Sequence, residues 1–199
     1  MTTALLISMA AFSLAASISP GPVNIVAMSA GMRHGVGQSM WFVAGATVGF
    51  TVLLVLVGLG LRAAINWLPG LLVVVRWAGV LFLGYMAVAL ATACGEMSLG
   101  RTAAAPSAMD GALLQWLNPK AWLASIAGTS AFAAGADLHR LTVFATIYFV
   151  ICFLSVGFWA MTGNALRHWL GDPWKIRAVN RLLAALLAAS AAYLAFAGA

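Results

Sequence analysis

The chain has 199 residues, of which 64% are Ala, Val, Ile, Leu, Met, Phe, Trp, Tyr or Cys and only 7% are charged, whereas a soluble domain carries roughly a quarter charged residues. Ten Lys/Arg against four Asp/Glu give a net charge of +6; these bases punctuate apolar runs instead of clustering on one face, which speaks for topology signals and against nucleic-acid binding. A soluble enzyme, a disordered tail and a disulfide-stapled secreted domain are excluded, long apolar runs argue against an alternating-strand barrel, and an all-α polytopic membrane protein facing a lipid bilayer remains.

A helix needs about 20 apolar residues to cross the hydrocarbon layer, and six stretches meet that length: 5–28, 40–61, 71–91, 112–134, 141–161 and 182–199. They form one transmembrane domain over 1–199, with half-repeats of about 1–92 and 111–199 joined by a linker over 93–110. The first span is read as retained, because Met1-Thr2-Thr3 carries no positive charge and the run is too long for a signal core. It is interrupted by Ser19-Pro20-Gly21-Pro22, where proline removes a helix hydrogen bond and clashes with the preceding turn. Gly45 and Gly49 in the second span form a small-residue pair suited to close helix contact. In the third span, Arg76 snorkels outward.

The linker contains Gly95, Gly100 and Ala103-Ala104-Ala105-Pro106-Ser107 and reads as solvated. The fourth span is interrupted by Asn118-Pro119-Lys120. The segment 163–181, with Trp169, Gly171-Asp172-Pro173-Trp174 and four Lys/Arg, reads as an interfacial stretch anchored by its tryptophans, as do Trp41 and Trp67 elsewhere. The last span presents a face of Ala184, Ala185, Ala188, Ala189, Ala191 and Ala192 for contact within or between subunits. Alternating the loops places Arg33, Arg101, Arg167, Lys175, Arg177 and Arg181 on one side, and Arg62 and Arg140 on the other. The positive-inside rule then puts both chain ends outside.

Three spans on each side of the linker run in opposite directions, and a shift of 99 residues carries Pro20 onto Pro119, as an inverted 3+3 repeat with broken helices 1 and 4 would. Pro22 lies 11 residues from Arg33 and Pro119 lies 9 from Asp110. Both breaks therefore sit roughly 14 to 17 Å from the cytoplasmic edge, near the midplane. Ser19 and Asn118 each precede a proline, as an N-cap precedes the first helical residue. Each restarts a half-helix whose free N–H groups and dipole favour an anion, with Lys120 adding a full charge. Carbonyls freed where the preceding half-helices stop suit an ammonium group, so the pair of breaks fits a small zwitterion. Proline kinks that only shape packing are the alternative.

Cys94 and Cys152 lack CxxC spacing and serve as small apolar side chains. His34, His139 and His168 lie in loops, no nucleophile pairs with a base, and neither an enzyme nor a cofactor or metal is expected. Trp116 and Trp122 flank the fourth-span break, where they either wall a cavity or face lipid.

Ser19-Pro20-Gly21-Pro22 with Gly31-Met32-Arg33-His34-Gly35, and Gln115-Trp116-Leu117-Asn118-Pro119-Lys120-Ala121-Trp122, resemble the two signatures of the lysine exporter (LysE) superfamily, in its homoserine/threonine (RhtB-type) branch, and the similarity covers essentially the whole chain. The chain departs from that pattern at Ser39, in place of a glycine, at Val23, where a polar residue is frequent and whose contact shifts onto Asn24, and at Phe82, in place of a tyrosine. The resemblance implies an inner-membrane exporter of amino acids or their derivatives, driven by the proton gradient and homodimeric. Lys120 and Ala124 stand where the lysine and arginine exporters carry His and Asp, which favours neutral substrates such as homoserine or threonine. The expected binding residues are Ser19, Pro20, Gly21, Pro22, Asn24, Gln115, Asn118, Pro119 and Lys120. Export of another small metabolite or cation, and a non-transporting scaffold, are the competing readings.

Overall fold

The computed structural model describes residues 1–61, 69–92, 105–133, 137–170 and 173–196. These form seven α-helices and no strand: α1 (Thr3–Ile18), α2 (Pro22–Leu56) continued by a π-helical turn (Val57–Leu61), α3 (Pro69–Ala91), α4 (Ala108–Trp116), α5 (Pro119–Phe132), α6 (Leu138–Leu170) and α7 (Pro173–Phe196). Arg62, Trp67, Cys94, Gly95, Gly100, Arg101, Gly171 and Asp172 lie outside the described residues, as do the side chains of Arg76, Phe82, His168 and Trp169. The stretches Pro22–Gly60 and Leu138–Arg167 are long and apolar enough to cross a membrane, and α1 is a shorter apolar helix.

The loop expected after the first span is absent. Gly35 alone leaves helical geometry, with φ 78° and ψ 171°, a left-handed backbone region that glycine enters without a Cβ penalty. It divides α2 into arms 22–34 and 36–56. Gly31 lies against Ala160, and Gly35 lies beside Asn164 and Arg167. Beyond the turn, Phe50 stacks on Tyr148 and Gly58 meets Leu141. The first arm therefore climbs along α6 and the second descends it. His34 flanks the turn, and burial, followed by the Arg33 and Arg167 charges, holds its imidazole below the ordinary histidine range.

Every residue from 22 to 32 is buried. An arm apolar on all sides belongs in the interior, and here it is the central element. Small residues let neighbours approach it. A Cβ on Gly31 would strike the Ala160 carbonyl, one on Gly163 the Met28 carbonyl, one on Gly45 the Ala108 carbonyl and one on Gly111 the Phe42 carbonyl. Gly45 and Gly49 thus serve helix contact, with α4 as the partner. Phe12, Phe132, Phe144 and Tyr148 form an aromatic cluster joining α1, α5 and α6. A second cluster sets Leu83 and Ala87 of α3 against Leu183, Ala184, Leu187 and Ala191 of α7, with Ile25 and Met28. Part of the alanine face of the last span is therefore internal, while Ala185, Ala188, Ala189 and Ala192 are exposed.

Several boundaries differ from the sequence expectation. Helix α6 is 33 residues long, about 50 Å at 1.5 Å per residue, so His139 and His168 lie in a helix instead of in loops. Helix α7 begins at Pro173, which makes most of the supposed interfacial segment helical. Asp110 belongs to α4, where it closes a capping box with Ser107. Arg33 and Arg167 gather at one end of the molecule, and Arg140, paired with Asp137 at 3.1 Å, lies at the other end of α6.

Gly45→Ala forces α2 and α4 apart and should lower the stability of the detergent-solubilised protein by about 1–3 kcal/mol, the usual cost of overpacking. Gly84→Ala, which meets nothing within 4 Å, should leave the melting temperature unchanged or raise it slightly.

Candidate functional site

The first helix break is built by its prolines. Helix α1 stops at Ile18 because Pro20 disfavours helical backbone at Ser19, which is extended at φ −61° and ψ 136°. Helix α2 restarts with Pro22 in its first turn and extended Gly21 as N-cap. This corrects the expected cap: Gly21, not Ser19, precedes the helix, and Pro20 lies in the break. Gly21 supplies no side-chain cap, so the dipole end of α2 stays open.

The second break follows expectation. Helix α4 ends at Trp116, Asn118 is the N-cap of α5, and Pro119 fills its first position. The Lys120 N–H donates to Asn118 Oδ1 at 3.1 Å, so this N-terminus is capped by its own side chain. Trp116 and Trp122 brace the junction: Trp116 Nε1 donates to the Gly49 carbonyl at 3.1 Å and Trp122 Nε1 to the Trp116 carbonyl at 2.7 Å.

The two breaks meet through Lys120. Its Nζ donates to the Ser19 carbonyl at 2.9 Å and to Ser19 Oγ at 2.7 Å. A cation here faces the negative end of the α1 dipole. The close approach depends on Gly21, where a Cβ would stand 3.3 Å from Nζ.

The carbonyls of Ala16 to Ser19 at the end of α1 already have donors. Ala16 O accepts from Ser19 Oγ at 3.3 Å, Ser17 O from Asn24 Nδ2 at 2.8 Å, and Ile18 O from Trp159 Nε1 at 3.0 Å. Ser19 O accepts from Lys120 and also from Asn24 Nδ2, at 2.9 Å. The expected row of open acceptors for an ammonium is therefore filled internally, with Lys120 itself as the ammonium.

Beside this junction lies a cavity of about 40 Å³, room for a few waters. Gly21, Val23 and Asn24 line it from the open start of α2, Gln115, Asn118, Lys120, Ala121 and Ala124 from the second break, and Ala16 and Ser17 from the end of α1. Phe50 and, from α6, Tyr148, Cys152 and Val156 close the remaining wall. Gly21, Asn24, Gln115, Asn118 and Lys120 thus share one cavity. Ser19, Pro20, Pro22 and Pro119 shape it without lining it, and neither Trp116 nor Trp122 walls it. Sequence reasoning missed Ser17, Tyr148, Cys152 and Trp159. The signal for the α6 residues was a run of hydrogen-bonding side chains inside an apolar span, but only the fold brings α6 against the first break.

Residues 14–198 match the family model described as LysE type translocator. The chain is 33% identical over 93 residues to the cysteine/O-acetylserine efflux protein of Salmonella typhimurium (strain LT2), a stretch covering 46% of this chain and 47% of that protein. It is 30% identical over 133 residues to the protein of the same name from Escherichia coli (strain K12), covering 66% and 67%. The chain thus spans about half the length of the Salmonella relative. No solved structure matches.

Asn24→Leu keeps the volume but strips the donors from the Ser17 and Ser19 carbonyls. It should destabilise the solubilised protein by about 1–3 kcal/mol, the cost of orphaning buried acceptors, while Ser8→Ala at an exposed position of α1 should stay within about 0.5 kcal/mol of the wild type. Thermal unfolding of both variants checks this.

Proposed function

The chain belongs to the LysE type translocator family, and on that premise we propose that it exports small neutral amino acids or their derivatives across the bacterial inner membrane. The observation that carries this reading is the junction of two helix breaks at Lys120 and Ser19, beside a cavity lined from α1, α2, α4, α5 and α6. The printed names of the relatives add cysteine and O-acetylserine to homoserine and threonine as candidate substrates.

The binding chemistry follows from donors and acceptors. An ammonium has three donors, of which Lys120 commits two to Ser19. The third is left for a substrate carboxylate. The uncapped N-terminus of α2, with the Val23 and Asn24 N–H groups, supplies further donors and the positive end of a dipole. Since Asn24 and Lys120 occupy the α1 carbonyls, the substrate ammonium falls to the Gln115 side-chain carbonyl. A second positive charge on the substrate would meet Lys120 without a carboxylate to offset it, and that costs heavily in a low-dielectric interior.

Alternating access assigns the Lys120–Ser19 contact to the step that changes. These bonds tie the α4–α5 break to the α1 end, and a carboxylate drawn to Lys120 competes with them. Six spans, an inverted 3+3 repeat, outside termini, proton coupling and a homodimer complete the reading, supported by the charge asymmetry of the loops and by the two breaks that a shift of 99 residues superposes.

Counterflow of labelled serine, cysteine, homoserine, threonine and lysine in proteoliposomes tests the proposal. The neutral substrates should exchange and lysine should not. Lys120→Met, which keeps the stem and removes the charge, should lower exchange by roughly 10- to 100-fold, the worth of a charge-assisted hydrogen bond. Undiminished exchange by this variant, or a preference for lysine, would count against it.

A further inference from the structure

Among the described residues that line the cavity, Ser17 carries a fully buried side-chain polar atom, Oγ, without a hydrogen-bond partner. Several helical hydroxyls donate to the carbonyl four residues back, Ser13 to Met9 O at 2.7 Å, Thr47 to Val43 O at 2.9 Å and Thr51 to Thr47 O at 2.9 Å, while Ser125, away from the cavity lining, shares with Ser17 the lack of a partner. Ser17 does not follow them, although this bond is the default for a serine in lipid. Its residue lines the cavity together with Tyr148 and Cys152, near enough to interact with both side chains but without a hydrogen bond of full geometry to either.

The surroundings hold this wall in place. Tyr148 stacks on Phe50 with ring centroids 4.2 Å apart and planes 24° from parallel, and its other faces meet Phe12 and Phe144 edge-on. The wall thus offers a hydroxyl, a phenol and a thiol, all neutral, on a rigid apolar backing. The cavity has room for a water that would satisfy Ser17 when no substrate is present. A substrate that expels the water must replace its hydrogen bond or leave the hydroxyl orphaned, and orphaning is the larger penalty.

We propose that Ser17, with Tyr148 and Cys152, is the side-chain subsite of the transport cavity, and that it selects amino acids whose short side chain carries a hydrogen-bonding oxygen or sulfur over alkyl side chains of equal length. The inference rests on the amino-acid export reading and adds to it the residues that set specificity. A site built around a hydroxyl discriminates strongly against an analogue that lacks the matching group. The small cavity keeps the side chain to a few heavy atoms.

Counterflow in proteoliposomes carrying the full chain supplies the test, with matched pairs: serine against alanine, cysteine against 2-aminobutyrate, threonine against valine. The wild type should favour the heteroatom member of each pair by at least about tenfold in relative KM. Ser17→Ala should cut that preference at least about fivefold and Tyr148→Phe should reduce it, while Ser17→Cys, which restores a weak donor, should recover part of it. A ratio measured within one preparation is independent of how much protein folds. If the wild type exchanges amino acids but prefers neither member of a pair, or if Ser17→Ala and Tyr148→Phe keep the wild-type preference, the subsite is wrong and the export reading stands. If the wild type exchanges no amino acid at all, both fall together.

Discussion

A helix that stops inside an apolar interior exposes backbone groups that no water can satisfy. Each unpaired group in that setting costs several kcal/mol. The chain carries two such stops, at Ser19 and at Asn118, and the rest of the molecule is arranged to meet the demand they create. Asn24 spans the Ser17 and Ser19 carbonyls, Trp159 reaches the Ile18 carbonyl from α6, and Lys120 arrives from the other break. Asn118 caps the helix that it starts. These bonds come from α1, α2, α5 and α6, so satisfying one helix end fixes how four elements meet.

Close packing makes this bonding possible. The first arm of α2 can be buried along 22–32 only because its neighbours come within backbone contact, at Gly31 with Ala160 and Gly163 with Met28, and for the second arm at Gly45 with Ala108. A methyl group at any of these positions would push a helix outward and stretch bonds measured here at 2.7 to 3.0 Å. Gly35 has a different task, since its left-handed φ of 78° turns the chain back in a single residue. The glycines therefore act as hinge and spacers for a polar junction that they do not touch, with Gly21 as the exception.

The sequence showed the two breaks and the isolated lysine that joins them, because proline and charge are rare enough in an apolar chain to stand out singly. It also showed that the second break is capped by Asn118. The first cap was misread: Ser19-Pro20 and Gly21-Pro22 each satisfy the N-cap and proline rule, and tertiary contacts decide between them. Pro20 ends α1 at Ser19, and Asn24 and Lys120 then hold the Ser19 carbonyl. The α6 side of the cavity was not legible. Tyr148, Cys152 and Trp159 stand out in the sequence only as hydrogen-bonding side chains in an apolar span, and their position at the first break depends on the hairpin at Gly35, which folds what reads as a loop into two continuous arms.

The internal pairing of Lys120 changes what an unpaired lysine means in this fold. A lone cation in a span suggests a missing carboxylate partner, supplied by substrate. Here two of its three donors rest on Ser19, so the charge is solvated by a helix end. On the proposed reading a substrate carboxylate takes the remaining donor and the open start of α2, and Gly21 leaves room for Nζ beside that start. Binding then adds an anion to a cation that is already satisfied, which makes the contact easy to form and easy to break. The proposed export needs that balance, because a substrate held by a fully unpaired buried charge would leave slowly.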